Sequence, residues 1–97
     1  MKIYAIFESV HHLMRAEKAM RAASFRFELR PNPPELESSC GMCAVFDEED
    51  FGAGREIITG SLLPSAKCSF HAREGSVFRE KGSASGMEAN FQKGEKA

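Results

Sequence analysis

Two unbroken apolar runs, Ile3-Tyr4-Ala5-Ile6-Phe7 and Met42-Cys43-Ala44-Val45-Phe46, most constrain what this chain can fold into. Each has the length of one strand and no polar alternation, so each reads as a strand covered on both faces. A fold that satisfies both must place them inside a sheet, with something packed above and below.

The segments around these runs supply the rest of the sheet and its cover. Phe25-Arg26-Phe27-Glu28-Leu29-Arg30 alternates strictly between apolar and charged residues, the pattern of an edge strand with one wet face. Pro31, Pro33 and Pro34 end it, because proline cannot donate to a ladder. After the first run, Ser9 can cap a helix whose apolar stripe is Val10, Leu13, Ala16, Met20 and Ala23, leaving Arg15, Lys18 and Arg21 toward water. After the second run, Asp47, Glu48, Glu49 and Asp50 form a capped, acidic start to another helix. Phe51, Ile58 and Leu62 share a face of that helix, Gly52 and Gly54 each weaken it by ~1 kcal/mol relative to alanine, and Pro64 stops it. Lys67–Ala72 is the last strand the pattern offers.

The order β-α-β-β-α-β predicts an α+β ferredoxin-like sandwich, an antiparallel sheet with both helices on one face. Strands one and three would be central, two and four at the edges. The exposed edge at Phe25–Arg30 also offers a route to a homodimer by sheet extension. Residues 1–79 read as the single domain. Residues 80–97 hold too little apolar content to offset ordering entropy and read as a mobile tail. In this topology the end of the first strand, the start of the first helix, the loop carrying Cys40 and the start of the last strand meet at one rim.

Composition narrows the function. Thirteen basic residues against 14 acidic ones give a net charge of −1, which favours neither nucleic acid nor an anionic membrane surface. The first apolar run ends at Glu8, too short for a signal-peptide core, and no stretch approaches the roughly 20 apolar residues that span a bilayer. The expected location is the cytoplasm. Three cysteines cannot all pair, so Cys40, Cys43 and Cys68 read as thiols, metal ligands or redox groups.

Of these, Cys40 stands in the most suggestive setting, the run Ser38-Ser39-Cys40-Gly41. Gly41 permits unusual dihedrals and close approach of a partner, while Ser38 and Ser39 offer hydroxyls and amides. A thiolate is the nucleophile in sulfur chemistry, and a helix N-terminus stabilises it. The helix starting after Ser9, with His11 and His12, would supply that stabilisation if it faces the loop. On general grounds the His11-His12 pair itself reads as solvent-facing.

The segments Ile6-Phe7-Glu8-Ser9-Val10-His11-His12, Arg15-Ala16-Glu17-Lys18 and Glu37-Ser38-Ser39-Cys40-Gly41, followed by Phe46-Asp47, resemble the selenium/sulfur carrier protein-like family of small bacterial domains. The resemblance spans about residues 2–63, and nothing after Pro64 carries it. It implies a cysteine, matching Cys40, that holds sulfur or selenium as a persulfide or selenopersulfide and exchanges it between donor and acceptor proteins. Such a carrier needs no cofactor and is not an enzyme.

Two other readings use the same thiols. Cys40 and Cys43 form C-x2-C, and Cys68 with His71 forms C-x2-H, four ligands in two pairs for a structural zinc in a non-catalytic binding or regulatory module. Against this, strand alternation aims Cys43 away from Cys40. Cys40-Gly41-Met42-Cys43 also has dithiol spacing, but redox C-x-x-C opens a helix, whereas this one leads into a strand.

Overall fold

The computed structural model describes residues 1–88. Strand β1 (Lys2–Phe7) leads into helix α1 (Val10–Ala22), and β2 (Glu28–Pro31) and β3 (Met42–Asp47) follow. A single 3-10 turn, Glu48–Asp50, runs into α2 (Phe51–Ser61), after which β4 (Lys67–Glu74) and β5 (Val77–Ser85) form a hairpin. The five strands make one antiparallel sheet in the order β2-β3-β1-β4-β5.

The two apolar runs are neighbours inside the sheet, with Ile6 opposite Cys43 and Ile3 opposite Phe46. Alternation splits their side chains between two cores. Ile3, Ala5, Phe7, Ala44 and Phe46 face a cluster that takes in Leu13, Ala16 and Met20 of α1 and Ile58 of α2. Tyr4, Ile6, Cys43 and Val45 face the other side, where Leu36 and Phe78 pack on them. Tyr4 meets Phe78 edge to face at 5.1 Å between ring centroids.

The α+β class and the antiparallel sheet match expectation, but the strand order is not that of a four-stranded ferredoxin-like sheet. β5 pairs with β4 over its full length, so the strand expected at the edge is interior. The boundary expected at residue 80 therefore falls inside β5, with Ala84 buried in the helix-side core. Residues 89–97 of the expected tail lie outside the described residues.

Three local details also differ. The second strand starts at Glu28 rather than Phe25 because the amide of Phe25 is consumed in closing α1, donating to Met20 O at 2.9 Å. Ser24 N donates to Arg21 O at 3.0 Å and Ser24 takes φ 54°, so α1 ends in a Schellman motif with serine in the left-handed position. On the α1 stripe, Leu13, Ala16 and Met20 are buried, whereas Val10 and Ala23 at its ends are exposed. Asp47 does not cap the second helix: its carboxylate pairs with Lys2 Nζ at 2.6 Å across the β1–β3 ladder.

Gly54 is a necessity of packing. A Cβ there would stand 2.8 Å from Phe46 and 2.9 Å from Phe25, so the missing side chain lets α2 lie against the sheet. The cost in helix propensity is offset by this close approach.

Candidate functional site

The run Ser38-Ser39-Cys40-Gly41 folds as a β-turn. Gly41 N donates to Ser38 O at 3.3 Å, and Gly41 takes φ 77°, a left-handed conformation that glycine adopts without strain. Asn32 clamps the turn to the end of β2: its amide donates to Gly41 O at 2.9 Å, and its side-chain Nδ2 donates to Ser38 Oγ at 2.7 Å. Cys40 occupies the third corner, half-buried, and packs against the helix-side core beside Met42.

The rim predicted from topology exists. β3 begins where β1 ends, with Cys43 opposite Ile6, and β4 begins there too, with Cys68 opposite Phe7. Helix α1 starts from the same end of β1. Ser9 caps it, its hydroxyl accepting from His12 N at 3.3 Å. The histidine pair is divided: His11 is exposed, whereas the Nδ1 of half-buried His12 is shielded and has no hydrogen-bond partner among the described residues.

The other two thiols are buried. Cys43 is 0 % exposed, its Sγ 3.9 Å from Pro31 O, and desolvation pushes its pKa up to about 11. Cys68 is 2 % exposed, its Sγ 3.7 Å from Ser69 O, and burial raises its pKa further still. His71 Nε2 lies 3.0 Å from Ser69 Oγ, and partial burial lowers its pKa.

The four sulfur and imidazole groups that could have formed a zinc site are not brought together. Cys43 lies in the cluster on the helix-free face, and Cys68 lies in the helix-side cluster. His71 alternates with Cys68 and Phe70 along β4, which puts it on the face opposite Cys68. No group of three or more His, Cys, Asp and Glu among the described residues is placed to hold a metal ion. Cys40 and Cys43 also serve opposite clusters, so the C-x-x-C spacing does not make a facing dithiol.

Two hollows flank the turn. An open cleft of about 600 Å³ is lined by Asn32, Pro33, Pro34, Glu37, Ser38 and Gly41. On the other side, a cavity of about 430 Å³ lies between Ser38 and Ser39 of the turn, Ile6–Glu8 of the β1 end and Lys67–Ser69 of β4, with Ser83 of β5. Asn32, Lys67, Ser69 and Ser83 were not legible as site residues. An asparagine flanked by Pro31 and Pro33 is a turn signal that could have marked Asn32. The two serines carry no signal until β5 is placed beside β4.

No helix among the described residues is long and apolar enough to cross a membrane. Residues 2–68 match the model of a family described as "Putative Se/S carrier protein-like". No curated protein and no solved structure gives a significant match to the chain.

Proposed function

The chain belongs to the Se/S carrier protein-like family, and from that membership we propose that Cys40 holds sulfur or selenium as a persulfide or selenopersulfide and passes it to a partner. The observation that carries this reading is the contrast among the thiols: Cys43 and Cys68 are buried, whereas Cys40 is only half-buried, on a clamped turn. Exchange at sulfur depends on access and on thiolate fraction, and Cys40 alone has the access.

The chemistry is a transfer without net oxidation. The Cys40 thiolate attacks the terminal sulfur of a donor persulfide, RS–SH. A new S–S bond forms at Cys40, the donor's S–S bond breaks, and its electron pair leaves with RS⁻. An acceptor thiolate repeats the step to unload the carrier. Ser38, Ser39 and Gly41 set the turn, while Ser9, His11 and His12 bring the amide-rich start of α1 to the same rim, where partial positive charge favours the anion. Each chain carries one atom per cycle, as a carrier rather than an enzyme. A reducing compartment such as the cytoplasm suits its free thiols. We also read β1 to β4 with α1 and α2 as the split β-α-β unit expected from the sequence, with β5 added to it.

Mass spectrometry after incubation with a persulfide donor tests the assignment. One added sulfur on the peptide containing Cys40 is expected, with none on Cys40→Ala. In the folded state an alkylating reagent should modify Cys40 and spare Cys43 and Cys68. Sulfur added equally to Cys40→Ala, or a Cys40 that resists alkylation, refutes the proposal.

A further inference from the structure

The cavity of about 430 Å³ beside the turn is lined by groups of both signs: Lys67 where β4 opens, Glu8 just past β1, and Glu37 just before the turn. None of the three makes an ion pair with another described residue. Ser38, Ser69 and Ser83 line the same space; Ser38 Oγ already accepts from Asn32 Nδ2 and Ser69 Oγ already pairs with His71 Nε2, and a hydroxyl can make a further hydrogen bond. Ile6 adds an apolar wall, Cys68 lines the space as well, and Ser39, in the lining, directly precedes Cys40 in the chain.

Charge and size select the ligand class. A simple anion meets two carboxylates, and a simple cation meets Lys67. A molecule carrying both charges a few ångströms apart satisfies each side: its carboxylate goes to Lys67 and its ammonium to Glu8 and Glu37, with serine hydroxyls completing the hydrogen bonds. A soft side chain then suits the apolar wall next to the thiol-bearing turn. We propose that this cavity binds the zwitterionic head of a small α-amino acid persulfide or selenopersulfide, the low-molecular-weight donor whose terminal atom the Cys40 thiolate attacks while the amino-acid thiolate leaves with the electron pair of the broken bond. The identification of the ligand as a donor rests on the carrier reading, whereas the binding itself does not.

Binding is therefore read in Cys40→Ala protein, by titration calorimetry or NMR shifts under reducing conditions, with L-cysteine, cysteamine and 3-mercaptopropionate as probes. L-cysteine should bind saturably and at least tenfold more tightly than cysteamine, which lacks the carboxylate, or 3-mercaptopropionate, which lacks the ammonium. Lys67→Ala should abolish the preference over cysteamine, and Glu8→Gln with Glu37→Gln the preference over 3-mercaptopropionate. All three positions are exposed, so these variants should keep the wild-type circular dichroism. Equal affinity for the three probes, or no saturable binding of L-cysteine, overturns the proposal. If wild-type protein still gains sulfur on Cys40 from a persulfide donor while L-cysteine fails to bind, this inference falls and the carrier reading stands.

Discussion

At the scale of single residues, the three cysteines differ by burial alone, and that difference has a pH signature. A free thiol ionises near 9.0, whereas folded Cys43 holds its proton up to about 11. Between those values the unfolded chain has lost a proton that the native state keeps, so stability is full below pH 9 and falls as pH rises toward 11. Cys68, raised in the same direction, adds to the loss. The urea midpoint should therefore drop across that window, and Cys43→Ala should flatten the drop although its midpoint starts lower. A wild-type midpoint that holds steady from pH 9 to 11 contradicts the burial of these thiols. The turn that carries Cys40 was legible in the sequence because serines and glycine announce it. The clamp from Asn32 was not, because a side-chain hydrogen bond across six residues leaves no periodicity.

At the scale of elements, legibility followed hydrophobic pattern. β1, α1 and β3 carry enough apolar residues at the right period to be read directly, and the structure places them within a residue or two of expectation. α2 looked weak on propensity, and its glycines are explained only when Phe46 and Phe25 come beneath it. Gly54→Ala tests that explanation. In an exposed helix the change would stabilise by up to about 1 kcal/mol. Here the new methyl meets aromatic rings below van der Waals distance, so a loss of about 2 kcal/mol is expected, read from chemical denaturation. A neutral or stabilising result would mean that α2 stands farther from the sheet. β5 escaped the reading because Val77–Ser85 buries little of its own: Phe78 against Tyr4 on one face and Ala84 on the other. Its place is fixed by pairing with β4, through the two-residue Gly75-Ser76 loop with Gly75 at φ 62°.

For the whole molecule, β5 decides whether the sheet is closed on its second side. It supplies Ser83 to the rim cavity and backbone partners to all of β4, although it lies beyond the segment that matches the family. A chain ending at Glu74 should lose the cover of Tyr4 by Phe78 and the burial of Ala84, about 2 kcal/mol or more of apolar contact. For a domain of this size that is a fall of roughly 10 °C in Tm. A truncated chain melting at the wild-type temperature would show that β5 adds nothing to the fold. The placement of β1 has a consequence for biosynthesis. β1 leaves the ribosome before both of its partners and is covered on both faces in the native sheet, yet those partners are residues 43–47 and 68–73. Until those are translated, Ile3–Phe7 is a sticky ribbon without a mate, which makes the nascent chain a natural client for chaperones that shield exposed apolar segments.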